Sequence, residues 1–394
     1  MYTAIVSMGL TFVLGRVLGP EGFGNYSYIL TLASFFFILQ DGGFKTLILR
    51  EKTLPTPDFA GYEQHLLSLA CAHALITTAA GVLMLIVLPI PFFYRAGISA
   101  AFVCFCFQAI ANFISSELKA EGRFPREALW QITVRTVSAL GILIVLFFIC
   151  HDPWVIFAGW ASGLLFSLWL SPLPVPLTLP AVVASFGYRG IWRACLAFMA
   201  IDAATAIYYR CDILILKYLS HDAAQVGFYA AAYRFLDAFV LLSAPVGVIC
   251  FRKLRLIWED KRAFYSLVFK MALVMVGAAG IVLLLGILFG KEIVFLTFGR
   301  NYTETTRILP LLLGSLIFIL PNTILTQAAI AQNRELMYAA AAGIGSLFNI
   351  GLNFILIPEF GGVGAAWATI ATEGLLSVIL ILNFKFQVLS EKFK

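Results

Sequence analysis

The amino-acid sequence predicts an all-α integral membrane protein, with about twelve transmembrane helices in two parallel six-helix repeats around a central cleft. Three observations carry that expectation. Of 394 residues, 61% are hydrophobic and only 12% charged, and the mean hydropathy of +0.94 lies far outside the range of soluble domains. The apolar runs have the length that a bilayer demands, about 20 residues per helical crossing. Finally, "RVLGPEGFGNYSYIL" at 16–30 returns as "KYLSHDAAQVGFYAAAY" at 217–233, so the chain repeats itself.

Runs between charged or Pro/Gly breaks place the spans at 1–18, 25–49, 64–91, 96–118, 127–150, 153–171, 192–219, 224–250, 264–289, 306–331, 335–357 and 362–385. The first begins at Met1 without a basic n-region or a small-residue cleavage site, so it reads as a short anchor, with truncation an open alternative, and not as a conventional signal peptide. With a cytoplasmic N-terminus, the inner connections and C-tail collect sixteen Lys and Arg and the outer connections six. That asymmetry follows the positive-inside rule and favours both termini inside. It also accounts for the formal net charge of +6 without invoking nucleic acid. All seven cysteines fall in or at the ends of apolar spans, where a thiol behaves as a small hydrophobe, and no disulfide framework or zinc spacing is present.

"SPLPVPLTLP" at 171–180 packs four prolines into ten residues, which no regular helix tolerates. It divides the chain into an N-terminal six-helix lobe (1–171), a Pro-rich cytoplasmic linker (172–191) and a C-terminal six-helix lobe (192–394). Gly24 and Tyr26 correspond to Gly227 and Tyr229 at an offset of 203, and Arg16 to Lys217 after a small gap; "KAEGR" at 119–123 corresponds to "IAQNR" at 330–334 at an offset of 211. Span one thus answers to seven and four to ten. Both relations preserve orientation, as expected of parallel repeats related by an axis along the membrane normal, with a substrate cleft between the halves.

"LGRVLGPEGFGNYSYILTLASF", "DGGFKTLILRE", "YYRCDILILKYL" and "VGFYAAAYRFLDAF" together resemble the polysaccharide-unit flippases of the multidrug, oligosaccharidyl-lipid and polysaccharide exporter superfamily. The resemblance runs along most of the chain. It implies a transporter, not an enzyme, that moves an undecaprenyl-pyrophosphate-linked oligosaccharide from the cytoplasmic to the periplasmic leaflet, or a related glycan in a Gram-positive cell. Members usually carry extra residues before the first helix, so the resemblance leads to the expectation of a misassigned start or a short first helix.

A charged side chain at the bilayer centre costs about 2.5–3.5 kcal/mol on insertion scales and marks functional candidates. Here these are Arg135, Asp202, Arg210, Asp212, Arg234, Asp237 and Glu373, with Arg16 and Asp41 nearer span ends. Arg210, Arg135, Arg234 and Arg16 are candidate binders of the lipid's pyrophosphate, because a guanidinium is permanently charged and offers a planar fork of donors. Asp202, Asp212, Asp237, Asp41 and Glu373 are candidates for ion coupling or for structural pairing. Arg234 and Asp237 sit at i,i+3 and can pair on one face. Asp202 and Arg210 are separated by about 12 Å along one helix and about 80° around it, so both can face one cavity. Asp212 lies about 200° around the helix from Arg210, so that arginine should find its partner off its own helix. Gly24 and Gly227 read as turn and close-packing glycines, Arg123 and Arg334 as interfacial charges, and Pro245, Pro310 and Pro321 as kink sites.

The partners expected are a lipid-linked glycan, membrane lipids, a coupling proton or sodium ion and polysaccharide-assembly proteins, with no cofactor, metal or nucleic acid. A drug or cation exporter of the same superfamily is the nearer alternative; its site should be acidic, whereas the inferred cleft is expected to hold at least as many arginines as carboxylates. A membrane glycan polymerase or glycosyltransferase needs acid and base residues in a sizeable outer loop, and every outer connection here is short.

Overall fold

A computed structural model describes residues 2–53, 65–173 and 189–392. Every regular element among them is helical: α1 (Tyr2–Asp41), α2 (Phe44–Thr53), α3 (Leu66–Val87), α4 (Phe92–Ala120), α5 (Phe124–Phe148), α6 (Pro153–Trp169), α7 (Arg189–Ser220), α8 (Ala223–Leu256), α9 (Lys261–Thr297), α10 (Thr305–Ala331) and α11 (Glu335–Lys392). Among the described residues nine helical stretches are long and apolar enough to cross a bilayer, and α6, at 17 residues, is a shorter apolar helix. Two of the nine, α1 with α2 and α11, bend at Gly19 and Gly361 respectively, so with α6 the described residues provide twelve legs. It is a multi-pass membrane protein.

The first bend differs from the loop expected between 18 and 25. Helix resumes at once, because Gly19 adopts φ 66°, where a Cβ would be strained. Pro20 then takes the first position of the next leg, where a missing N–H removes no helical hydrogen bond. Helix continues through Pro245, Pro310 and Pro321, and the non-helical φ/ψ inside α1 and α11 fall on Gly19 and Gly361. Most of the Pro-rich linker, residues 174–188, lies outside the described residues.

Two compact units comprise Met1–Val17 with Asn25–Ala206, and Leu18–Gly24 with Ile207–Lys394. In the first unit, α4 packs against α2, α3, α5 and α6; in the second, α10 packs against α8, α9 and α11. These two helices are repeat equivalents, and their ends match in detail. Gly122 and Asn333, 211 residues apart, both adopt left-handed φ, 70° and 57°. The Arg123 N–H donates to Leu118 O and the Arg334 N–H to Ala329 O, closing both helices with the same pattern. Without water, buried polar groups must pair between helices. Accordingly Gln40 Nε2 donates to Thr78 Oγ1 (2.7 Å) and to Phe102 O (2.8 Å), and Trp130 Nε1 to Ala111 O (3.0 Å). All seven cysteines are free thiols and five are buried, as packing residues should be.

The segment Leu18–Gly24 packs within the second unit through a crossing of glycine backbones. A Cβ on Gly24 would lie 1.7 Å from Ala223 O, and one on Gly227 1.9 Å from Pro20 O. Pro20 and Ala223 stand at the same offset of 203 as the two glycines, so the contact is reciprocal between repeat equivalents. Beside it Phe23 is fully buried against Phe298 and Tyr302.

Candidate functional site

In the second unit, α7, α8, α10 and α11 bring charged and polar side chains together within apolar helices. On α7, Arg210 does find its partner on another helix: Arg210 Nη2 lies 3.6 Å from Asp237 Oδ2 on α8. The same oxygen lies 3.3 Å from Arg234 Nη1, so the i,i+3 pair forms and one carboxylate serves two guanidiniums. Asp212, buried, is held otherwise: it accepts from the Tyr229 hydroxyl and from the Ile213 N–H.

Glu373, on the second leg of α11, is only 6% exposed and is surrounded by neutral donors. The Tyr208 hydroxyl donates to Oε1 (2.5 Å) and Asn322 Nδ2 to Oε2 (3.0 Å). Asn322 in turn accepts from Ser377, locking α10 to α11. On the first leg, Asn349 donates to Thr372 Oγ1 (3.2 Å), and Asn353 Nδ2 donates to Asn349 Oδ1 (2.8 Å). Asn353 is fully buried, and its Oδ1 has no hydrogen-bond partner among the described residues.

These groups surround a cavity of about 40 Å³ lined by Asp212, Asp237, Glu373, Asn349, Thr369 and Thr372 together with tyrosine and aliphatic side chains. One water needs about 10–15 Å³ of such space, so the cavity has room for about three waters or one partly hydrated ion. Its oxygen-rich lining suits a hard cation. Three carboxylates, Asp212, Asp237 and Glu373, line the cavity and neither Arg210 nor Arg234 does; the two guanidiniums meet this group through Asp237, so carboxylates outnumber arginines around it, against the expectation of at least as many arginines.

The remaining candidates lie in the first unit. Arg135 is half-buried on α5, and its Nε has no hydrogen-bond partner among the described residues. Asp41, buried at the end of α1, accepts the Gly43 N–H (3.2 Å), with Lys45 and Asp202 close enough to act on it electrostatically. Arg16 is exposed on the first leg of α1. Asp202 and Arg210, one helix in sequence, belong to different units. Reading charges alone missed the neutral members Tyr208, Tyr229, Asn322, Asn349, Asn353, Thr369 and Thr372. The signal was present in Asn349 and Asn353, two amides at i,i+4 in an otherwise apolar span.

Several known proteins are similar to this chain. The family model described as "Polysaccharide biosynthesis protein" matches residues 1–251. A probable low-salt glycan biosynthesis flippase, Agl15 of Haloferax volcanii, is 29% identical over 179 residues, covering 43% of this chain and 36% of that protein. This chain thus spans about a third of the length of that curated relative. Among solved structures, the lipid II flippase MurJ in an inward closed conformation superposes with a TM-score of 0.76 at 15% identity, covering 98% of this chain and 86% of that one. An inward-facing multidrug resistance MATE family transporter of the MOP superfamily gives 0.75 at 12% identity, covering 100% and 96%. At such identities these two likenesses establish the fold alone.

Proposed function

Because this chain belongs to the polysaccharide biosynthesis protein family, we propose that it is a flippase moving a lipid-linked, undecaprenyl-pyrophosphate oligosaccharide across the cytoplasmic membrane by alternating access, for surface polysaccharide biosynthesis. The observation that carries this reading is the pairing of Arg210 and Arg234 on the single carboxylate of Asp237. Two guanidiniums on one carboxylate keep an excess positive charge, and their planar forks can take a pyrophosphate through several charge-assisted hydrogen bonds. Arg135 and Arg16, in the first unit, are the further candidate anion binders of this proposal. The adjoining oxygen-lined cavity would hold the coupling cation, with Asp212 and Glu373 as its charged ligands, and Asp41 with Asp202 as an acidic pair in the first unit. Similarity to a probable glycan flippase supports the glycan assignment.

In this mechanism two six-helix lobes, 1–171 and 192–394, rock about the linker 172–191, both termini facing the cytoplasm of a bacterial or archaeal cell. The headgroup enters from the inner leaflet, is held by the arginines and leaves from the outer leaflet while the lipid tail stays in the bilayer. No bond is made or broken. The likeness to a multidrug MATE transporter supports a second reading, export of lipophilic cations. Competition in proteoliposomes separates the two: a polyprenyl-pyrophosphate oligosaccharide should be flipped and should compete with its own analogues, while ethidium should neither be transported nor inhibit. Ethidium transport without glycan flipping would replace the first reading by the second.

A further inference from the structure

We infer that Asp237 is an exchangeable counter-ion that couples the two halves of this site, releasing Arg210 and Arg234 to the anion when the neighbouring cavity holds a cation. The inference rests on the proposed function and adds a positioning residue to it. Asp237 occupies the junction: its Oδ2 is within 3.6 Å of Arg210 and 3.3 Å of Arg234, and its side chain lines the cavity. Neither arginine is among the cavity-lining residues, so Asp237 is the charge common to both.

The two arginines and a cation in the cavity compete for one carboxylate. With the cavity empty of cations, Asp212 and Glu373 repel Asp237, which stays on its arginines and occupies donors that an anion needs. A cation among Asp212, Asn349, Thr372 and Glu373 attracts Asp237 instead. The Arg234–Asp237 separation of 3.3 Å is at the outer limit of hydrogen bonding and the Arg210–Asp237 separation of 3.6 Å is beyond it, which makes this exchange inexpensive. Asp237 is also about a third exposed, unlike Asp212, which is 5% exposed and fastened by Tyr229, so of the two it is the mobile carboxylate. By linkage, cation and anion then strengthen each other's binding by the same factor.

The test measures binding of farnesyl pyrophosphate to the full chain in nanodiscs, at fixed pH, in sodium and in an organic cation too large for the cavity. Wild-type protein should bind the probe about 10-fold more tightly in sodium, within the range of about 5–150-fold typical of coupled sites. Asp237→Asn should bind tightly in both media, the sodium ratio falling to about 1, because the competing charge is gone. Asp237→Glu, which restores the carboxylate, should restore the ratio; a merely structural role would weaken the probe without erasing its sodium dependence. A wild-type ratio of 1, or a full ratio in Asp237→Asn, overturns the inference and leaves the anion site standing. Failure of the wild type to bind the probe at all overturns the anion site, and the inference with it.

Discussion

Replacing Gly24 by alanine is the sharpest probe of the reciprocal crossing between repeat equivalents. The added Cβ would lie 1.7 Å from Ala223 O, whereas real Cβ contacts essentially never fall below 3.0 Å, so the two backbones must part by about 1.3 Å. The atom in the way is backbone, and no side-chain rotation relieves it. Parting also draws the buried Phe23 ring away from Phe298 and Tyr302, now 5.7 and 6.4 Å between centroids. Overpacking of this kind costs about 1–3 kcal/mol, occasionally more. For a unit of roughly 200 residues, each kcal/mol moves Tm by about 2–4 °C, so Gly24→Ala should melt some 5–10 °C below wild type in detergent, followed by tryptophan fluorescence. Gly277→Ala is the control: nothing lies within 4 Å of its Cβ, and the substitution should stabilise by about 0.4–1 kcal/mol through the unfolded chain. Combining Gly24→Ala with Gly227→Ala should cost less than the sum, since one displacement serves both. A Gly24→Ala protein melting within a degree of wild type would refute the crossing.

Three further outcomes follow from the site and the charge pattern. Arg210→Lys retains charge but loses the fork, so export in a complementation assay should fall partially, whereas Arg210→Ala and Arg210→Glu should abolish it with membrane expression preserved; normal export by Arg210→Ala would remove Arg210 from the anion site. Asn322→Leu strips a donor from Glu373 and an acceptor from Ser377 and should destabilise by about 1–3 kcal/mol, read as a lower denaturant midpoint; no change would mean that Glu373 is satisfied without it. Single cysteines at Lys253 and Arg334 should label only from the cytoplasm and one at Asn301 only from outside, and labelling of position 253 from outside would reverse the topology.

The membrane-spanning helices and their doubling were legible in the sequence because both rest on local chemistry. A bilayer imposes one length and one composition on every span, so apolar runs between charged breaks give the helices directly. The echo of Gly24 in Gly227 and of "KAEGR" in "IAQNR" already implied repeated structure. The off-helix partner of Arg210 could be anticipated too, since the angle between Arg210 and Asp212 on one helix is fixed by its pitch. What the sequence left undecided is one local backbone angle and a set of non-local contacts. The bend at Gly19 replaced an expected loop because φ 66° and a proline at the next position allow helix to restart within one residue. That Asp237 would bridge two arginines, while Tyr229 takes Asp212 and Tyr208 with Asn322 takes Glu373, depends on how α7, α8, α10 and α11 rotate against one another. Rotation about a helix axis is set by packing over a whole face, and residue spacing along a single helix carries no record of which neighbouring helix that face will meet.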